Sequence, residues 1–146
     1  MFGSYLLNNE SDSIELSSLI AKSLTPGSML LFNGDLGSGK TFLCRNIILH
    51  IINDNIIVPS PTFNILQVYN IDNYDIYHYD LYRLKCQNEI YGLSFEDACN
   101  AQNICLIEWP AIINNLLPKG CIEINLTINQ GSQRTCEIIP HNPFAI

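Results

Sequence analysis

The stretch Gly34-Asp35-Leu36-Gly37-Ser38-Gly39-Lys40-Thr41 constrains this 146-residue chain more than any other. It fits G-x-x-x-x-G-K-[S/T], and its flanks supply the context that such a loop needs. Residues 29–32 before it form a short continuous apolar run, the pattern of a strand buried on both faces. Residues 42–52 after it read as a helix. Glycines let successive backbone N–H groups turn inward on phosphate oxygens without Cβ clashes. The start of the following helix adds a favourable dipole for the anion. The residue pattern arises by chance in about one per cent or fewer of chains this long. The segment therefore reads as a P-loop, with Gly34, Asp35, Leu36, Gly37, Ser38, Gly39, Lys40, Thr41 and Phe42 as nucleotide-binding residues. Lys40 is expected to reach the β- and γ-phosphates, and the Thr41 hydroxyl to ligate Mg²⁺.

The rest of the chain reads as one domain, residues 1–146, with no repeat or linker. Asp12 and Glu15 resemble a helix-capping pair ahead of an apolar stripe of Ile14, Leu16, Leu19, Ile20 and Leu24, and Pro26-Gly27 closes that helix. Strands are expected over residues 64–69 and 75–82, paired antiparallel through an Asp72-Asn73 turn. Residues 89–100 read as one or two short helices, 104–107 as a second buried strand, 112–117 as a short helix, and 121–128 and 135–139 as closing strands. This order predicts a three-layer α/β domain, a central mixed β-sheet flanked by helices.

A P-loop needs an acidic residue for its magnesium, usually at the end of a neighbouring apolar strand. Glu108 stands there after Ile104-Cys105-Leu106-Ile107, with a solvated strand-end carboxylate as the plainer reading. Asp80 is the second acidic candidate. It either orients the attacking water or a magnesium-bound group, or it forms a salt bridge to Arg83. Thr62, between Pro61 and Phe63, lies where switch segments of P-loop proteins often run; a rigid turn is the alternative. His50 and His141 read as structural, whereas His78, two residues before Asp80, is harder to dismiss because of its neighbours.

Composition excludes several classes. The formal charge is −7, with four lysines and three arginines, so no basic patch is available to grip DNA or RNA directly. No apolar run approaches the roughly 18 residues of a membrane helix, and no basic start followed by an apolar stretch marks a secretory signal. A cytoplasmic protein is expected. The six cysteines include no C-x-x-C pair and read as reduced, packed thiols rather than disulfides or metal ligands. No lysine follows an asparagine, so no N-K-x-D guanine motif exists, which points to ATP. Arginines are too few for a small-molecule P-loop kinase, and a slow ATPase completed by a partner fits better; a nucleotide-gated adaptor is the other alternative.

The P-loop, Ser60-Pro61-Thr62-Phe63, Asp80-Leu81-Tyr82-Arg83-Leu84 and Ile107-Glu108-Trp109-Pro110 occur in one order and spacing. In this the chain resembles the TsaE family, formerly YjeE, the ATPase subunit of the bacterial tRNA threonylcarbamoyladenosine machinery. The resemblance implies ATP and Mg²⁺ as cofactors, held by Lys40, Thr41 and Glu108. It implies catalytic roles for Asp80, Glu108, Lys40 and Trp109, and places Thr62 in the switch segment. It also implies TsaD and TsaB as protein partners, with tRNA engaged only through their complex. Phe42 stands where a second Thr is common, leaving Thr41 as the hydroxyl ligand. The ending Gly131-Ser132-Gln133-Arg134 resembles the family loosely, and no nucleotide contact is carried over to Arg134.

Overall fold

Apolar strands without alternation cannot face water on either side, so they become the centre of a sheet. In the computed structural model, which describes residues 1–142, β1 spans Gly3–Leu7, β2 Met29–Asn33, β3 Leu66–Asn70, β4 Asp75–Asp80, β5 Ile104–Glu108, β6 Ile122–Ile128 and β7 Arg134–Pro140. They form one sheet in the order β1-β7-β6-β2-β5-β4-β3. The four central strands β6, β2, β5 and β4 run parallel. The flanking pairs β1·β7, β6·β7 and β3·β4 are antiparallel, which makes the sheet mixed as expected.

Strand side chains alternate between two cores. Leu30, Phe32, Ile76, Ile104, Leu106, Ile124 and Ile138 meet the helices α1 (Glu10–Ser23) and α2 (Lys40–Ile52). Met29, Leu31, Tyr77, Tyr79, Cys105 and Ile107 meet the opposite layer, made of the 3₁₀ segments Gln87–Leu93 and Pro110–Leu116 and the short α3 (Phe95–Ala98). Burying each large apolar side chain contributes roughly 1.5–3 kcal/mol, which sets both faces of the sheet.

Several local expectations are corrected. The first helix begins at Glu10 rather than after Asp12. Its N-cap is Asn9, whose side chain accepts from the Asp12 amide, and the Asp12 carboxylate accepts in turn from the Asn8 amide. Glu15 takes no part in the cap, because the amides it would meet already have these partners. The apolar stripe is narrower than read: Leu16 and Ile20 are buried, while Ile14 and Leu19 are exposed. β3 starts at Leu66, since Ile65 turns into the left-handed region at φ 67°. β4 ends at Asp80, after which residues 81–84 form a turn closed by Leu84 N–H donating to Leu81 O. The edge strand β1 was not anticipated at all.

Among the described residues no helix is long and apolar enough to cross a membrane, and all six cysteines are free.

Candidate functional site

β2, β4 and β5 run parallel, so their carboxyl ends lie together, where α/β sheets place ligands. Asn33 closes β2 and leads straight into the glycine loop; Asp80 closes β4 and Glu108 closes β5, paired in register with each other. Strand parity turns both carboxylates toward the α2 side, with Ile76, Ile104 and Leu106 below them.

The loop is tightly specified at Gly34. A Cβ there would lie 2.5 Å from Ser38 Oγ and 2.7 Å from the Leu126 carbonyl oxygen, and φ is +152°. The helix that follows has Gly39 as its N-cap, which offers no side-chain cap, and its first turn carries no acidic residue. Its leading amides are therefore left for an anion, which the helix dipole also favours.

Lys40, buried at 5% exposure, folds back over the loop. Its ammonium donates to Gly34 O at 2.6 Å and Asp35 O at 3.0 Å, and lies 4.0 Å from the centre of the Trp109 ring. Burial pushes the Lys40 ammonium below the usual lysine range, and the Glu108, Asp80 and Asp35 carboxylates partly oppose that. Trp109 in turn packs tilted against Tyr82, ring centres 4.9 Å apart with the planes 49° to each other, and adopts the left-handed region at φ 57°.

The Thr41 hydroxyl donates to Glu108 Oε1 at 2.7 Å, and the second Glu108 oxygen lies 2.7 Å from His78 Nε2. Cys44 of α2 brings its sulfur within 4.8 Å of ligand atoms of His78 and Glu108. Burial, with the Glu108 and Asp80 carboxylates nearby, pushes the Cys44 thiol far above its ordinary range, so it packs as a neutral group. Asp80, 4% exposed, accepts from Thr62 Oγ1 at 3.1 Å and from the Tyr82 amide at 3.1 Å. Its expected rival partner is elsewhere: the Arg83 guanidinium lies over the Phe63 ring, 5.5 Å from its centre.

These groups line one cavity of about 250 Å³, with Lys40, Thr41, Thr62, Asp80, Glu108 and Trp109 around it, together with Leu36, Gly37, Gly39 and Phe42. Gly34, Asp35 and Ser38 stand behind, as the groups Lys40 touches or approaches. Every residue singled out from the sequence is thus brought to one place. A second cavity of about 240 Å³ lies across the loop, walled by Ser38, Gly39 and Phe42 on one side and by Asn9, Glu10 and Arg134 on the other. Arg134 donates to Gly37 O at 3.3 Å, a contact sequence reasoning did not assign. Tyr82 was also missed, and His78, kept open on account of its neighbours, was given no role; the signal for that role was its parity with Asp80 along β4.

The sequence model of the family described as threonylcarbamoyl adenosine biosynthesis protein TsaE matches residues 7–136. The chain belongs to the TsaE family. It is 51% identical over 137 residues to the tRNA threonylcarbamoyladenosine biosynthesis protein TsaE of Rickettsia felis, covering 94% of this chain and 80% of that one. It is 34% identical over 116 residues to the Bacillus subtilis TsaE, covering 80% and 72%. The crystal structure of Bacillus subtilis YdiB superposes with a TM-score of 0.77 at 25% identity, over 97% of this chain and 88% of that one. TsaE membership and this superposition agree with the P-loop NTPase fold and place the chain in tRNA threonylcarbamoyladenosine biosynthesis.

Proposed function

We propose that this chain is the Mg²⁺-dependent, slowly ATP-hydrolysing subunit of the threonylcarbamoyladenosine machinery, acting with TsaD and TsaB so that modification of the adenosine beside the anticodon turns over repeatedly. The observation that carries the reading is the 2.7 Å contact between Thr41 Oγ1 and Glu108 Oε1 at the mouth of the loop that holds Lys40. A hydroxyl and a carboxylate brought together there are the hard oxygen donors that Mg²⁺ takes, so Thr41 and Glu108 would hold it. Bound there, Mg²⁺ would neutralise charge on the phosphates.

The chain's own groups divide the remaining work. Loop amides and the first turn of α2 bind phosphate oxygens, and Lys40 exchanges its carbonyl partners for them. Asp80, facing the same cavity and tied to Thr62, holds or accepts a proton from the attacking water. Thr62 registers the γ-phosphate through that link. Trp109 covers Lys40 and keeps water off the reacting centre.

Among the described residues, no arginine lines the first cavity. Arg45 donates to Val58 O, Arg83 covers Phe63 and Arg134 reaches Gly37 O from the second cavity, so on this reading a partner supplies the transition-state arginine. An arginine in that role supplies on the order of 10³–10⁵ in rate, which supports activation by a partner and counts against a self-contained metabolite kinase. The charge of −7 agrees with tRNA being held mainly by the partner proteins.

ATP hydrolysis measured with and without TsaD–TsaB tests the proposal. Stimulation by the pair is expected, and its absence would overturn partner activation. An adaptor with incidental hydrolysis is separated by Glu108→Ala and Asp80→Ala: if both stop hydrolysis yet sustain multiple turnovers of tRNA modification, hydrolysis is not the function.

A further inference from the structure

His78 occupies a position where the fold would otherwise place an aliphatic side chain. It lies on β4 between Ile76 and Asp80 on the α2 face, beside Leu106 of β5, and it is fully buried. An imidazole in such surroundings costs free energy unless its polar atoms find partners. Only one of them does. Nε2 lies 2.7 Å from Glu108 Oε2, while Nδ1 is buried without a hydrogen-bond partner. A carboxylate can only accept, so the hydrogen sits on Nε2 and His78 donates it.

Glu108, itself 1% exposed, then has each oxygen engaged by a different element: Oε2 by His78 of β4, Oε1 by Thr41 of α2. Two such bonds fix the orientation of the carboxyl plane, with Oε1 held beside Thr41, and both residues line the cavity. Remove the His78 donor and Oε2 becomes a buried acceptor with nothing to accept; the carboxylate then gains by rotating toward Lys40 or toward solvent.

We infer that His78 is a positioning residue for the metal-binding carboxylate: it holds Glu108 in the orientation that presents Oε1, beside Thr41, to Mg²⁺. The inference rests on the reading of Glu108 as a magnesium ligand. Outer partners of this kind typically change metal affinity 10–100-fold when removed.

The test uses the full chain saturated with a non-hydrolysable ATP analogue, into which Mg²⁺ is titrated calorimetrically. His78→Leu is expected to weaken Mg²⁺ binding 10–100-fold while ATP binding in EDTA changes less than about twofold. His78→Gln, whose amide nitrogen reaches the place of Nε2, is expected to recover most of the affinity. His78→Asn, whose amide falls at the place of Nδ1, is not. Unchanged Mg²⁺ affinity in His78→Leu, or an equal loss of metal-free ATP binding, overturns the inference. If the leucine variant does not fold, the Gln–Asn contrast decides, and equal Mg²⁺ affinity in those two overturns it. Glu108→Gln runs alongside. If that variant binds Mg²⁺ normally, the magnesium reading of Glu108 has failed. If it binds weakly while His78→Leu binds normally, only the role of His78 has.

Discussion

The Thr41 hydroxyl donates to Glu108 Oε1 across 67 residues of sequence, tying the first turn of α2 to the end of β5. The two groups proposed to share one cation are thus joined before any cation arrives. Removing either should remove the same unit. Thr41→Val and Glu108→Gln are each expected to lower partner-stimulated ATP turnover by on the order of 10²-fold, and the double variant should be little worse than either. Fully multiplicative losses in steady-state rates would show that the two act separately.

Lys40 gives a pH prediction with a definite sign. Its folded-state value is lowered from 10.5, chiefly by burial. Below the lowered value both folded and unfolded chains carry the proton, and the cost of burying the charge is present in full. Between the lowered value and 10.5 the unfolded chain binds more protons, so this group's contribution to stability rises with pH. Lys40→Met should therefore stabilise the unliganded fold at neutral pH, with an advantage that shrinks toward pH 10. Denaturant melts of both proteins across that range check it; an advantage that stays constant with pH refutes the assignment. ATP affinity should fall through the same window as Lys40 loses its charge.

Trp109 is the single tryptophan of the chain and lies 4.0 Å from the Lys40 ammonium. If phosphate draws Lys40 away, the indole loses a cation on its face. Its emission should change on adding Mg-ATP, and Lys40→Met should alter the emission of the free protein while blunting the nucleotide response. A titration with no spectral change in the wild-type chain would count against Lys40 moving.

Gly34 tests the loop itself. Gly34→Ala would put a Cβ 2.7 Å from the Leu126 carbonyl oxygen at φ +152°. A loss of about 2 kcal/mol is expected from strain of this kind, or about 4–8 °C in melting temperature for a chain of this size. Nucleotide affinity should fall with it. An unperturbed melting curve would show that the loop can relax away from β6.

The cysteines offer a test of burial. Burial pushes the Cys136 thiol up to about 12 and the Cys121 thiol up to about 11, and Cys86 alone among the six is exposed. Native protein with a disulfide reagent at neutral pH should release one fast equivalent, from Cys86, and Cys86→Ser should abolish it. A fast thiol at Cys136 would contradict the packing of β7.

Much of the site was legible locally. A continuous apolar run makes Met29–Asn33 a buried strand whichever partners it finds. The glycines at 34, 37 and 39 mark positive-φ positions that other residues avoid. A carboxylate ending the second such run made Glu108 readable for the same reason. By contrast, β1 was illegible: it is an edge strand with Leu6 exposed, and its order comes from pairing with β7 more than 100 residues away. The Asn9 cap escaped notice because Asp12, its partner in the cap, carries the same type of signal.

The sequence by itself determined a phosphate loop, its strand and its helix, because backbone sign, apolar continuity and helix start are properties of neighbouring residues. The tertiary structure decided what that loop faces. Parallel pairing of β2, β5 and β4 brought Glu108 to Thr41 and Asp80 to Thr62. Strand parity aimed His78 at Glu108, and the return of β7 put Arg134 on Gly37, 97 residues distant. Register between strands is set by the packing of a whole face, and no local window of sequence contains it.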